Sequence, residues 1–377
     1  MLLAYGAKNF YCFKEGVEIS FKVGSSCPTT ISKGKHYSNI LCVKGANASG
    51  KTNVLKIPTF LSDFCVNSFN KKPDAEIPFK TFFSNNRQSE FYAEFEMDGI
   101  FYRYELTVTK KSVKRETLYR KGKRIKKVLE RKGNDISFST KEFEELKSMK
   151  LRSNASIIST ANQYEIESLN PVYKSFKPIV SNVNFFGLAD RKWNLSKTSK
   201  MYKEVKPAFG FVKKVITGFD LGIKDILIES EVTDNGEKKY WPVFIHEVDG
   251  NDKHLLIEAE SSGTKALYFQ LRDYIFVLLQ DGLLVLDEFD INLHPHILPK
   301  LLDLFTEEDG HSAQIIFTTH NTDVIDYLGK YRTIIVEKEN NESYAFRLDE
   351  IPGELIRNDR PISPLYNEGK IGGVPNL

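Results

Sequence analysis

Cysteine is scarce and scattered. Cys12, Cys27, Cys42 and Cys65 form no CxxC pair, so neither a zinc site nor a disulfide framework is suggested. Reduced thiols in a cytoplasmic protein are the expectation. The N-terminus, MLLAYGAKNFYCF, has no charged segment followed by a long apolar run and does not read as a signal peptide. No stretch approaches the roughly 18 consecutive apolar residues of a membrane helix, and no membrane partner is expected. Charge is nearly balanced: 53 basic against 50 acidic residues leave +3, too little to argue for nucleic acid by itself. Sustained heptads are missing as well, which excludes a long coiled coil. What is present is an ordinary globular composition, 41% hydrophobic and 27% charged, in a chain long enough for one large or two modest domains.

The most specific stretch is GANASGKTN, residues 45–53. A β-like run, SNILCVKG, precedes it and a helical stretch, KTNVLKIPTFLSDFCVNSF, comes after it. Strand, glycine-bounded loop and helix are the context of a phosphate-binding loop; a chance match in a surface loop would lack both flanks. Gly45 permits the sharp exit from the strand, and Gly50 lets backbone approach a phosphate oxygen. Backbone N–H groups of Asn47, Ala48, Ser49, Gly50, Lys51 and Thr52 can surround a β-phosphate at the helix N-terminus. Lys51 is expected to reach the β- and γ-phosphates and the Thr52 hydroxyl to hold Mg²⁺; Asn53 is counted with the loop.

The last third supplies partners. In DGLLVLDEFDINLHPHIL, residues 281–298, the apolar run Leu283 to Leu286 ends in Asp287 and Glu288. Such a run reads as a buried parallel strand that delivers carboxylates to its C-terminal edge, where open α/β sheets bind ligands. Asp287 then holds Mg²⁺ through water, and Glu288 serves as general base; taken alone, the pair also reads as two solvated acids at a strand end. A second buried-strand pattern, AQIIFTTHN, places His320 at its end, as a γ-phosphate contact. His294 and His296 lack a third ligand and read as a loop-to-helix turn. In EAESSGTKAL, Ser261, Ser262, Gly263 and Thr264 precede an amphipathic helix. This is an ordinary N-cap or a second anion site that caps the nucleotide of another copy in a head-to-tail dimer.

Between these ends, EFYAEFEMDGIFYRYELTVTKKSVKRETLYRKGKRIKKVLERKG alternates like antiparallel strands, with turns at Asp98-Gly99 and Lys121-Gly122. The pattern then reads as helical to about Lys214, opening on a capping-box signature near Thr140. Residues Lys110 to Lys132 are strongly basic and offer either a nucleic-acid or acidic-partner surface or simply solvated hairpin faces.

Taken together, these motifs resemble the ABC-type ATPases, more narrowly the SMC-, RecF- and OLD-like branch. GANASGKT is similar to its Walker A, ESSGTKAL to its signature, LLVLDEFDINLHP to its Walker B and D-loop, and TTHN to its switch histidine. The opening KNFYCFKEGVEISF is similar to the first strands of RecF-like heads. The closing YNEGKIGGVPNL is similar to the tail of RloA-like and PARIS AriA-like anti-phage defence ATPases. There are two departures. No Q-loop glutamine stands out, Gln88 being the nearest candidate, and Ser262 occupies a position where transporters carry Gly.

The resemblance implies an α/β fold, a P-loop ABC-ATPase head with an antiparallel β subdomain and an inserted helical arm. Its expected units are 1–139, with Walker A and the antiparallel layer; 140–215, the arm; and 216–377, with signature, Walker B and switch histidine. It implies ATP and Mg²⁺, hydrolysis through Glu288, Lys51 and His320, and a homodimer or higher homo-oligomer. Ser261, Ser262 and Gly263 of one copy would cap ATP on the loop of another. The leading role it implies is sensor and regulator of a toxic effector in anti-phage defence. OLD proteins carry a TOPRIM nuclease after the head; the stretch after His320 is too short for one, so a nuclease is expected on a separate chain. A RecF-type DNA-repair ATPase that binds DNA directly is the alternative. The missing Q-loop and the large insertions argue against a transporter motor.

Overall fold

Alternation of apolar and polar residues builds the first layer of the computed structural model, which describes the chain except residues 190–192, 220–221, 292, 307–310, 354, 358–359 and 375–377. The chain opens with β1 (Leu2–Lys8) and β2 (Val17–Ser20). A short turn of helix, α1 (Thr29–Ser32), leads to β3 (Ile40–Lys44) and α2 (Lys51–Asn67). Next come β4 (Ser89–Met97), β5 (Ile100–Val108), β6 (Val113–Lys121), β7 (Ile125–Lys132) and β8 (Asp135–Ser139). Seven of these strands form an antiparallel sheet in the order β2-β1-β4-β5-β6-β7-β8. In β4, Phe91, Ala93 and Phe95 face the core while Glu90, Tyr92 and Glu94 face outward, the two-residue period of a half-buried strand. Asp98 and Gly99 turn between β4 and β5 with φ of 52° and 71°, the left-handed pair a two-residue hairpin requires.

The chain continues through α3 (Ile157–Gln163), α4 (Asn170–Phe176), β9 (Ile179–Ser181) and the hairpin β10 (Val183–Asn184) and β11 (Gly187–Leu188). Helices α5 (Leu195–Glu204) and α6 (Lys206–Phe219) lead to a three-stranded sheet, β12 (Ile223–Val232), β13 (Lys238–Val248) and β14 (Asn251–Leu256). The remainder is α7 (Ser262–Leu279), β15 (Leu283–Leu286), α8 (Ile297–Asp303), β16 (Gln314–Thr318), α9 (Asp323–Leu328), β17 (Thr333–Glu339), β18 (Glu342–Arg347) and α10 (Ser363–Asn367).

The second sheet runs β18-β17-β3-β16-β15-β9, parallel except at the β18 edge. Its central strands β3, β16 and β15 are buried on both faces, which explains their apolar runs. Leu41 and Val43 of β3 join the core shared with α2 and the antiparallel sheet; Ile40 and Cys42 join the opposite core with α6, α7 and α8. A third cluster packs Tyr366 and Ile371 of the C-terminal tail on Ile335 of β17.

Residues 140–215 are not wholly helical. They supply β9 to the edge of the parallel sheet, and their helices pack in both main cores. Thr140 starts a 3₁₀ stretch, Lys141–Ser148, without a side-chain cap; the capped N-terminus is at Ser156, whose hydroxyl accepts from Ile158 N.

Candidate functional site

Strand β3 ends at Lys44 and the loop 45–50 turns into α2. Gly45 has φ 157°, and a Cβ there would lie 2.3 Å from the carbonyl oxygen of Val336 in β17. Gly50, φ 115°, caps α2, with the space for a Cβ filled by Cys12 Sγ at 2.7 Å. Both glycines are thus required by conformation and by contact. Lys51 Nζ donates to the carbonyls of Gly45 (2.9 Å) and Ala46 (3.0 Å). Burial lowers its pKa, while Asp287 and Glu288 pull the other way. Ser49 is buried with its hydroxyl unpartnered by protein, and the Asn53 amide donates to Cys12 Sγ at 3.1 Å.

Asp287 follows β15 and is held on all sides. Its carboxylate accepts from Thr52 Oγ1 at 2.7 Å and from Thr318 Oγ1 at 2.5 Å. Its backbone N–H donates to Asn182 Oδ1 at 2.7 Å, and its carbonyl accepts from Asn182 Nδ2 at 2.9 Å. Thr52 hydroxyl and Asp287 carboxylate are hard oxygen donors side by side, a pair that suits Mg²⁺ with water completing the shell. Glu288 adopts a left-handed φ of 51° and donates its N–H to Thr318 Oγ1 at 2.8 Å. One hydroxyl therefore orients both acids.

His320 is exposed, one residue beyond Thr319, and its N–H donates to Asp290 Oδ1 at 3.3 Å. The segment carrying it is fastened by Lys44. This lysine, 2% exposed, donates to the carbonyls of Thr319 (2.9 Å) and Asn321 (3.1 Å), and its ammonium lies 5.4 Å from the centre of the Tyr366 ring. Burial pushes its pKa down.

The fold brings the loop, Thr52, Asp287, Glu288 and the His320 segment to one edge of the parallel sheet. It does not bring Ser261, Ser262 and Gly263 there: among the described residues no hydrogen bond joins them to residues 45–53. Ser261 caps α7, its hydroxyl accepting from Thr264 N at 3.0 Å, and Ser261 and Ser262 are exposed. His294 and His296 stack 5.1 Å apart just before α8. Asn292 in the D-loop and Pro375 in the tail motif lie outside the described residues.

Gln88 stands just before β4 in the antiparallel sheet, its carbonyl bound by Asn9 Nδ2 at 3.1 Å. The amide that reaches the acid pair is Asn182, at the end of β9 beside β15; the short run IVSN was the only signal for it. In the basic run, Arg131 is fully buried, paired with Glu116 at 2.8 Å and bound to the Ala155 and Arg152 carbonyls. Arg115 and Arg120 pair with Glu130 and Glu142. The cations exposed around the β6–β7 turn are Lys121, Lys123, Arg124 and Lys126.

A parallel sheet with a glycine-bounded loop at its C-terminal edge, backed by an antiparallel layer, is the fold of the SMC-type ATPase heads. The chain belongs to the family described as "AAA domain, putative AbiEii toxin, Type IV TA system", whose pattern matches residues 40–326. Among solved structures, the SMC head bound to the C-winged-helix domain of ScpA superposes with TM-score 0.51 at 14% identity, over 92% of this chain and 97% of that one. The SMC head domain from Thermotoga maritima gives 0.46 at 16% identity, over 92% and 98%. No curated protein sequence matches the chain. Among the described residues no helix is long and apolar enough to cross a membrane.

Proposed function

We propose that this chain is an ATPase whose ATP-bound form assembles with a second copy. The assembly would hold or release a separate toxic effector, as in the anti-phage defence ATPases that its tail resembles. The observation that carries the ATPase reading is the bond set around Asp287, which ties the loop hydroxyl of Thr52 to the end of the acid-bearing strand. In this reading the phosphates of ATP lie on residues 45–53, and Lys51 exchanges two backbone carbonyls for the β- and γ-phosphates. Thr52 and Asp287 hold Mg²⁺, which when bound offsets charge on the phosphate oxygens. Glu288 takes the proton of the attacking water, and His320 contacts the γ-phosphate. Ser261, Ser262 and Gly263 of the second copy close the site; the exposure of Ser261 and Ser262 at the start of an 18-residue helix supports this. The family description, which names an AbiEii toxin and a Type IV TA system, supports a toxin–antitoxin or defence setting. The effector is best read as a separate chain of nuclease type, TOPRIM-like proteins being the model.

Calorimetry, phosphate release and sedimentation test this together. Lys51→Ala is expected to lose ATP binding. Glu288→Gln is expected to bind ATP, turn over at least about 100-fold more slowly and sediment as a stable assembly. Full turnover by Glu288→Gln would remove Glu288 as the base.

One observation favours a second reading, direct DNA binding of the RecF type. Lys121, Lys123, Arg124 and Lys126 are exposed at one turn, with no ion-pair partner among the described residues. If they contact phosphates, each removed cation lowers the slope of log affinity against log salt by about one. DNA retention unchanged in Lys123→Glu/Arg124→Glu/Lys126→Glu would exclude this surface.

A further inference from the structure

Ser261 and Ser262 can close the site of another copy only if the chain ahead of α7 holds them in place. Glu260 directly precedes the cap residue Ser261, and its Oε1 lies 2.7 Å from His246 Nε2. The Glu260 side chain is 5% exposed and that of His246 20%. A carboxylate only accepts hydrogen bonds, so the bridging Nε2 carries the hydrogen. The pair is buried by the fold. β13 is the central strand of its sheet, and His246 lies between Ile223 of β12 and Lys253 of β14. Residues two apart on a strand share a face. Phe244, on the face of His246, is fully buried against Tyr268 of α7, ring centres 5.9 Å apart. The strand thus grips α7 at its body through Phe244 and just ahead of its first turn through His246. The approach to α7 is tight as well: Ile257–Ala259 form one 3₁₀ turn, Ile257 is buried, and Glu260 N donates to the Ile257 carbonyl at 3.1 Å.

We propose that His246 and Glu260 form a positioning clamp that sets the serines at the start of α7 for the nucleotide of a second copy. The inference rests on the ATP-dependent assembly proposed above. The clamp does two things. It fixes the backbone from which Ser261 and Ser262 project, and it turns the Glu260 charge inward. The second matters because the phosphates those serines would cap are anions, and a carboxylate swinging free one residue away would repel them. The contrast with Glu258, two residues earlier, is direct: Glu258 is exposed, and only its carbonyl is engaged, by Lys265 Nζ at 2.8 Å. Among the described residues no hydrogen bond or ion pair joins His246 or Glu260 to residues 45–53 of their own chain. The clamp therefore acts in trans, on the partner's nucleotide and not on its own.

The test uses the full chain with ATP and Mg²⁺. Glu260→Ala and His246→Ala are each expected to bind ATP like the wild type when too dilute to pair. At pairing concentrations their turnover is expected to fall about ten-fold, the loss of one hydrogen bond to a charged group. The double variant is expected to be no worse than either single one, as for two ends of one interaction. Glu260→Gln, whose carbonyl still accepts from His246, is expected to retain turnover; a loss equal to that of Glu260→Ala would overturn the clamp. Mixing gives the decisive readout. Lys51→Ala keeps intact serines and a disabled loop, and Glu260→Ala the reverse. Their equal mixture is expected to recover about a quarter of wild-type turnover, since half of the pairs are mixed and each has one complete site. Lys51→Ala/Glu260→Ala mixed with Glu260→Ala is expected to recover nothing. Should Glu260→Ala not fold, Glu260→Asp, too short to reach His246, takes its place. No recovery in the first mixture would overturn the proposal, as would recovery in the second. If the wild type shows no Lys51-dependent ATP binding, the ATPase reading itself falls and the clamp with it. If it hydrolyses ATP and the clamp variants match it, only the clamp falls.

Discussion

Asn182 and Thr318 illustrate how much of the acid pair's geometry is set by neutral side chains. Asn182 satisfies both backbone groups of Asp287, and Thr318 gives its proton to the Asp287 carboxylate while accepting from Glu288 N. Removing Asn182 strands a buried N–H and a buried carbonyl, and an orphaned buried group costs about 1–3 kcal/mol. Asn182→Ala is therefore expected to lower unfolding free energy by about that amount in urea titration, and to slow turnover more than it weakens ATP binding. A fall in binding alone would contradict this positioning role. The loop and the acid pair were legible in the sequence because each is local: a glycine-bounded turn between strand and helix, and an apolar run closed by carboxylates. Asn182 was not, because its role depends on β9 lying beside β15, an order set by the fold and not by spacing. Gln88 has the right side chain and stands in the wrong sheet.

Elements behave the same way. Long strands and α2 announce themselves by period, whereas α3 and α4, seven residues each, are too short for a helical period to stand out, and β9 is shorter still. Hence 140–215 reads as a single helical arm although it feeds both cores. Ser261 shows the opposite case: its local reading as a cap is what the isolated chain contains. The tether between β3 and the His320 segment gives a prediction at this scale. Lys44 is a buried cation held by carbonyls and the Tyr366 ring, with no carboxylate bonded to it among the described residues. Removing the ammonium leaves the Thr319 and Asn321 carbonyls without this donor, and an orphaned buried group costs about 1–3 kcal/mol. Lys44→Met is thus expected to lower the melting temperature and to cut turnover about ten-fold, as residues 319–321 lose their anchor. Unchanged turnover would show that the anchor serves packing alone.

At the scale of the molecule, the parallel sheet is a wall shared by two cores, since alternate residues of β3, β15 and β16 enter opposite clusters. The antiparallel sheet and the helices α6 to α8 cannot separate without opening that wall. Circular dichroism and tryptophan fluorescence are therefore expected to report one coincident unfolding transition; two separate transitions would mean that the layers are independent. The exposed, already capped N-terminus of α7 has a consequence of another kind. Ser261 satisfies Thr264 N within its own chain, so this helix start needs no partner to complete its cap. In the proposed head-to-tail assembly only bound nucleotide would favour pairing, and each catalytic centre would need two molecules. Specific activity should then rise with protein concentration and fall on dilution at saturating ATP. A cell holding few copies would keep its nucleotide idle, and the protein would respond to its own abundance as a dose.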